Sequence, residues 1–455
     1  MTSNYFLQAD PRTILQDYPV GTAFLDGPAR LSRDELRNLQ ESRFSSVIAR
    51  AWEVPFYQRR WSAIGLDKED IKEIDDLPKI PTFSKTDLME SVEAYPPFGD
   101  FHGLGDNFSN AVLHTTSGTT GTPQPLFFGP YDREVQNVLL ARAYILQGMQ
   151  KGDVAHSVYG YGMVNGGHYV REAVTHFTDA MYIPAGTGRD TPTSQQIEMM
   201  HRYGATAILG FADYIKRLAD AAVEVGMKPG EDIPLKMISG HIGQEDKAAI
   251  SEAWGGAAVY DWYGVGDTGI IAGEGPSHNG LYVWEDAHII EMLDPEGGTA
   301  LPDGHTGNIC ATPLFKTGVY PIVRFDTKDL SKLMPPAPES GINFKRMAGF
   351  QGRSDNMVKL RGINVYPTAI GTLLDQHRAT TGEYICRLTR SGSRDELTVV
   401  VETKELGTSL TLEIEAILKK GLGVSVKVQL VSPGETATDT QVETRQKPIR
   451  LVDLR

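Results

Sequence analysis

Between residues 32 and 60 (LSRDELRNLQESRFSSVIARAWEVPFYQR) apolar positions recur at helical spacing up to a proline, predicting a helical N-terminal region. A second helical face is drawn by Val135, Val138, Leu139, Ile145, Leu146 and Met149, with Arg142 the one charged residue on it. Strands and helices then alternate. The strand-like run DVAHSVYGYG is followed by a helix around 194–203 ending at Gly204, strand ATAILG and a helix over 213–225. Strand LKMIS, a helix near 245–254 and strand AAVYDWY continue the series. This alternation predicts an α/β domain, a parallel sheet with helices on both faces, whose ligands bind beyond the carboxyl ends of the strands. From about residue 357 the rhythm changes. Strand VKLRGINVY, a helix from Pro367, strands YICRLTR and ELTVVVET, helix LTLEIEAILKK and strand VSVKVQLVS give a β-α-β-β-α-β order. The expected organisation is a large N-terminal α/β domain with mixed or parallel sheets, residues 1–352, and a small C-terminal α+β domain, residues 353–455.

Composition narrows the classes. A chain of 455 residues exceeds one compact core, consistent with two domains. A net charge of −14 argues against a nucleic-acid partner. Apolar runs are short and broken by charge, and the N-terminus lacks the basic-then-apolar order of a signal peptide, so neither a membrane nor secretion is expected and a cytoplasmic location is. Cys310 and Cys386, the only two cysteines, sit in apolar strand-like runs and read as buried thiols; a disulfide framework or Cys-rich zinc site is excluded.

Four motifs carry candidate chemistry. His114-Thr-Thr-Ser-Gly-Thr-Thr-Gly-Thr-Pro123 is rich in N–H and O–H donors and glycine. Such a loop can wrap phosphate oxygens, or be a hydroxyl-rich surface turn; it is not a Walker A loop, which requires a Lys after its last Gly. Asp261-Trp-Tyr-Gly-Val-Gly-Asp-Thr-Gly269 follows a strand; its aromatic–glycine pair can stack a purine and Asp267 can hold Mg²⁺, though a tight turn would look the same. In Arg324-Phe-Asp-Thr-Lys-Asp-Leu330 a strand-end carboxylate can bind ribose hydroxyls. The fourth motif runs from Gly352 to Pro367. Lys447, alone near the C-terminus, reads by itself as a solvated side chain.

In this order and spacing the motifs resemble the adenylate-forming acyl-CoA synthetase superfamily, and within it the phenylacetate-CoA ligase family. The resemblance spans nearly the whole chain, including VPFYQRRW, KIPTFSKTDL, YGYGMVNGGH, GLYVWEDAHIIEMLDPEGG and KPIRLVDLR. It implies an AMP-forming aryl-CoA ligase that uses ATP, Mg²⁺ and coenzyme A to adenylate an aromatic acid and transfer the acyl group to CoA. Ser117, Gly118, Thr119, Thr120 and Gly121 would cradle the phosphates. Ser239, Gly240, Asp261, Trp262, Tyr263, Gly264 and Thr268 would bind ATP and AMP, with Tyr263 and Gly264 framing both the adenine and the acyl substrate. Asp267 would hold Mg²⁺, Asp329 the ribose, and Arg353 the nucleotide from the domain boundary. Asp355 would be the hinge of a mobile C-terminal domain that delivers the catalytic Lys447, while Arg361 and Gly362 would line the CoA tunnel. Relatives also suggest a homodimer.

The chain departs from the family at Thr122, where Lys is frequent; at Gly266, where Ser or Thr is usual and Thr268 is the substitute; and at Asp267, usually Glu. The stretch Gly273–Tyr282 lacks the metal-binding cysteines of many relatives, so no structural zinc is expected. The acyl pocket is expected from Tyr161, Gly162, Asn165, Gly166, His168, Phe211, Ile238 and Gly264, a slot of glycines and aromatics suited to a ring such as anthranilate, another substituted benzoate or phenylacetate. Asn165 or His168 can bond a ring substituent or satisfy backbone groups. Two alternatives stand beside this reading: loading of a carrier protein's phosphopantetheine thiol, and a nucleotide-binding protein that does not turn over.

Overall fold

The structure is a computed structural model that describes residues 4–104, 110–116, 123–355, 358–361, 363–375, 377–391, 394–441 and 448–455. It divides into two compact units: residues 1–242 with 250–349, and 243–249 with 350–455.

Among the described residues the first unit carries fifteen strands. In chain order these are β1 (Val112–Thr115), β2 (Pro125–Phe128), β3 (Val154–Ser157), β4 (Met181–Pro184), β5 (Ala207–Phe211), β6 (Met237–His241), β7 (Ala258–Val265) and β8 (Gly269–Glu274). They continue as β9 (Leu281–Val283), β10 (His288–Leu293), β11 (Ala300–Leu301), β12 (Gly307–Pro313), β13 (Phe325–Ser331), β14 (Leu333–Met334) and β15 (Arg346–Met347). Nine of them form one sheet in the order β14-β15-β9-β8-β7-β6-β5-β3-β4. The half from β7 to β4 is parallel, as the alternation predicts, and β7 also pairs antiparallel with β8, which joins the two halves. A second, antiparallel sheet has the order β11-β10-β12-β13.

Strand alternation splits the parallel half into two cores. Ala155, Ala207, Leu209, Met237 and Trp262 face helix Pro130–Leu146 and helix Gly166–Phe177. Ile208, Ile238 and Val259 face the helices Thr193–Tyr203, Ala212–Glu224 and Lys247–Ala253. Near the N-terminus the predicted helical region is two helices, Arg33–Ala51 and Pro55–Ser62. The proline starts the second, where its missing N–H costs nothing. Arg142, the charge on the otherwise apolar helix face, is fully buried. It makes two 2.9 Å bonds to Asp286 and stacks over Phe24, so the charge is paired rather than misplaced.

In the second unit a four-stranded sheet runs in the order Lys427–Val431, Arg394–Thr403, Thr380–Ser391, Leu451–Asp453, packed against helix Thr408–Leu422. The run expected as one strand, VKLRGINVY, is instead a hairpin of Val358–Leu360 against Ile363–Val365, turned where Arg361 adopts φ +52°. The strand Leu451–Asp453, which joins this sheet parallel to Thr380–Ser391, takes the place that run was expected to fill. Among the described residues no helix is long and apolar enough to cross a membrane.

Candidate active site

The parallel strands β3, β5 and β6 end at one place, and β3 lies where the chain order reverses, with β4 on one side and β5 on the other. Ligands of open α/β sheets bind at such a point. There the structure gathers rings. Phe211 stacks on His241 at 4.9 Å and 17°, His241 lies 4.1 Å from Trp262, and Tyr159 packs on Phe211 at 5.1 Å. Tyr159 Oη lies 2.9 Å from His241 Nδ1, which fixes the imidazole. The Trp262 indole N–H is buried and has no hydrogen-bond partner among the described residues.

Of the expected acyl-pocket residues, Phe211 belongs to this cluster. Tyr161 Oη sits 3.0 Å from Tyr182 Oη, and its ring is edge-on to His168 at 5.3 Å. His168 Nε2 lies 3.0 Å from the carbonyl of Gly162, a glycine at φ +87°, so that imidazole is committed to its own loop. Asn165 stands at the N-cap position of the helix that starts at Gly166 but makes no side-chain capping bond, and its side-chain oxygen has no described partner. Gly264 pairs with Ile270 across a bulge, and any Cβ there would lie 2.3 Å from the Gly269 carbonyl. Ile238 is placed differently from the expectation. It is fully buried among the Thr193–Tyr203, Ala212–Glu224 and Lys247–Ala253 helices, on the face opposite Trp262. Alternation is the reason: His241, three residues on, is the β6 residue that reaches the ring cluster.

The nucleotide motifs converge from two sheets. Tyr263 on β7 donates its hydroxyl proton to Asp329 on β13 at 2.8 Å, and Thr327 Oγ1 lies 3.3 Å from the same hydroxyl. Asp261 accepts the Ile242 N–H at 2.9 Å and fixes the chain just beyond β6. Ser239, fully buried, donates to Gln147 at 2.6 Å, and a Cβ on Gly240 would strike the Gly210 carbonyl, so both hold β6 against its neighbours. Thr268 donates its hydroxyl to the Gly269 carbonyl at 2.9 Å.

Asp267, in the β7–β8 turn, is almost wholly buried. Its Oδ1 accepts from Gln124 at 2.6 Å and from Tyr320 at 2.9 Å. Burial raises its pKa, opposed by those two bonds and by the charge of Lys316. Gln124 and Thr116 close the mouth of a hairpin. The Thr116 N–H donates to the Gln124 carbonyl at 3.0 Å and the Gln124 N–H to Thr116 Oγ1 at 3.1 Å. The phosphate-loop residues Ser117, Gly118, Thr119, Thr120 and Gly121 lie outside the described residues, as do Lys447 and Gly362; β1 and β2, which flank the loop, pair antiparallel.

In the second unit Arg353 and Asp355 form a two-bond ion pair, Nε–Oδ1 2.8 Å and Nη2–Oδ2 2.6 Å. Arg361 lines a small cleft with Lys427, Asp395 and Glu396.

A carboxylate oriented by two neutral donors, one of them two residues after the hydroxyl-rich 117–122 sequence, and a tyrosine–aspartate pair at a strand end suit a nucleoside triphosphate. A single carboxylate that shares a cation with substrate phosphates is also how Mg²⁺ is usually held. Gln124, Tyr320, Lys316 and His241 were not singled out from sequence.

Comparisons with known proteins agree. A family model for the AMP-binding enzyme C-terminal domain matches residues 362–455. 2-Hydroxyisobutyryl-CoA ligase in its postadenylation state superposes with a TM-score of 0.84, at 27% identity over 94% of this chain and 91% of that one. ATP-bound MatB from Rhodopseudomonas palustris shares the fold at a TM-score of 0.53 and 20% identity, over 70% of this chain and 63% of that one. The phenylacetate-coenzyme A ligase of Aromatoleum evansii is 30% identical over 89% of this chain and 92% of its own. That of Thermus thermophilus is 30% identical over 93% of this chain and 98% of its own. Fold and relatives together define an AMP-forming acid–CoA ligase. Within that class, the chain belongs to the phenylacetate-coenzyme A ligase family.

Proposed function

We propose that this enzyme adenylates an aromatic carboxylic acid and then transfers the acyl group to coenzyme A. The observation that carries the aromatic choice is the ring cluster Tyr159–Phe211–His241–Trp262 at the ends of the parallel strands, whose half-buried members Phe211 and His241 are suited to pack against a ring. Relatives named for phenylacetate support it.

In the first step a carboxylate oxygen attacks the α-phosphorus of ATP, forming the acyl–phosphate bond and releasing pyrophosphate. Two anions must approach, so the protein has to supply oriented donors and positive charge. The Tyr263–Asp329 pair holds the ribose end of the nucleotide. The 117–121 loop surrounds the phosphates, and Lys447 is the cation that approaches the reacting centre. Asp267, oriented by Gln124 and Tyr320, would hold Mg²⁺ together with phosphate oxygens, and that ion would neutralise phosphate charge. In the second step the CoA thiol sulfur bonds to the acyl carbon and AMP leaves with the mixed-anhydride oxygen. Residues 1–352 act as the adenylate-forming domain. The 353–455 domain pivots at Asp355 between the steps, so that Lys447 serves the first and the Arg361–Gly362 segment the second.

The test is acid-dependent pyrophosphate release over a panel of aryl and alkyl acids. The expected result is release with one or a few aryl acids at least about tenfold faster than with alkyl acids of equal size, a difference of about 1.4 kcal/mol. Preference for an alkyl acid would overturn the aromatic assignment.

A further inference from the structure

His114, on β1, is almost fully buried, and each of its ring nitrogens meets a partner of fixed polarity. Nδ1 lies 3.2 Å from the Met163 carbonyl oxygen, and Nε2 lies 3.3 Å from Nη1 of Arg133. A carbonyl only accepts and a guanidinium only donates, so Nδ1 carries the proton and Nε2 offers its lone pair. The imidazole is therefore neutral, because a second proton would set N–H against N–H. Burial and the Arg133 charge act the same way, pulling its pKa down to about 4.

Arg133 is itself fixed. From the first turn of helix Pro130–Leu146 it makes two bonds to Glu172, Nε–Oε2 2.5 Å and Nη2–Oε1 2.8 Å. Glu172 also accepts from Asn137 at 3.2 Å. Four buried polar side chains thus form one chain of bonds that ends on a single carbonyl within residues 160–166. A buried network paired in this way is rigid.

The segment it reaches joins Tyr159 to helix Gly166–Phe177 and stands against the ring cluster. The Gly167 N–H bonds the Gly160 carbonyl at 3.0 Å, and a Cβ on Gly166 would lie 3.5 Å from the Tyr159 ring. Gly160 and Gly162 give its backbone access to other paths, so its position depends on ties from outside. The Thr115 N–H bonds the Met163 carbonyl at 2.8 Å, and the imidazole supplies that oxygen's second bond.

We propose that His114 is a positioning residue for the acid: a neutral imidazole, braced by Arg133 and Glu172, that clamps Met163 and so sets residues 160–166 as one wall of the slot for the aryl ring. The inference rests on the proposed function, in which the acid binds against the ring cluster.

The experiment measures acid-dependent pyrophosphate release by wild-type enzyme and by His114→Asn, His114→Gln and His114→Phe, using the acid that the wild type prefers. Acid is varied at saturating ATP, and ATP at saturating acid, with melting temperatures recorded alongside. The Asn amide nitrogen falls near the position of Nδ1 and keeps the bond to Met163. The Gln amide falls nearer that of Nε2 and loses it, while Phe keeps a ring and loses both bonds. The expected result is a KM for the acid raised about tenfold in the Gln and Phe variants, the scale of one buried hydrogen bond, and within about threefold of wild type in the Asn variant. The KM for ATP is expected within about twofold of wild type in all three. The Asn and Gln variants decide the matter if His114→Phe does not fold. Equal KM values for the acid in those two, or a KM for ATP raised as much as that for the acid, would overturn the inference. Absence of acid-dependent release by the wild type would instead overturn the function on which the inference rests.

Discussion

Tyr263 and Asp329 stand on strands of different sheets and meet through one 2.8 Å bond. Removing that hydroxyl leaves the ring but takes its bond from the carboxylate proposed to bind ribose. Tyr263→Phe is therefore expected to raise the KM for ATP roughly ten- to hundredfold, the value of a hydrogen bond to a charged group, with the melting temperature little changed. An unchanged KM would remove the pair from the nucleotide site. His288 gives a pH dependence of stability. It is fully buried on β10, and burial pulls its imidazole down to about 4, opposed by the Trp284 backbone and the Asp286 charge. A depressed folded-state value means that the unfolded chain binds the extra proton first. Stability is then fully present above about 6.5 and lost as pH falls towards 4, on the order of 3 kcal/mol for this residue. His288→Phe is expected to flatten the fall of melting temperature between those pH values; an equally steep fall would show that other groups govern it. At this scale sequence is least informative. The motif residues Tyr263, Asp267 and Asp329 stood out because their types and spacing are unusual, whereas Lys316 is a lone lysine in LFKTG whose meaning comes from Asp132 and Asp267, both distant in the chain.

The β7–β8 hairpin is the element on which the site depends. It turns within Gly266-Asp267-Thr268, and Gly264 bears the closest backbone approach. Gly264→Ala must displace the Gly269 carbonyl, at a cost of about 1–3 kcal/mol. The expected outcome is a lower melting temperature together with a slower adenylation rate at saturating ATP. A stable variant with normal adenylation would show that the hairpin tolerates movement. Elements were well legible in the parallel half, where the predicted helix around 194–203 is Thr193–Tyr203 and the strand ATAILG is Ala207–Phe211. Legibility failed where one backbone angle decides. A run of apolar alternation through VKLRGINVY gives no sign that Arg361 turns it into a hairpin. It failed again at Ile238, because period-two alternation gives which residues share a face but not which face meets the ligand.

For the whole molecule the order of motifs along the chain was the strongest signal, and the relatives and the solved ligase structures bear out the family, the fold class and the ligase activity it implied. The second compact unit combines residues 243–249 with 350–455, a grouping that no single cut of the chain can express. Two half-reactions run by one chain predict separable defects. Asp355→Pro, which restricts the proposed pivot, is expected to leave acid-dependent pyrophosphate release within about threefold of wild type while thioester formation falls at least about tenfold. Equal loss of both would count against alternation. Lys447→Ala is expected to do the opposite, abolishing adenylate formation while ATP still binds.

One active site is proposed to make an acyl-adenylate and then pass its acyl group to coenzyme A. The direct test incubates enzyme with ATP, Mg²⁺ and the preferred aryl acid, with and without CoA, and follows AMP, pyrophosphate and acyl products by mass spectrometry. The expected result is about one equivalent of pyrophosphate and enzyme-bound acyl-adenylate without CoA, and steady release of AMP with aryl-CoA when CoA is added. Release that stops after about one turnover even with CoA present, with no thioester formed, would contradict it and direct the acyl group to another thiol.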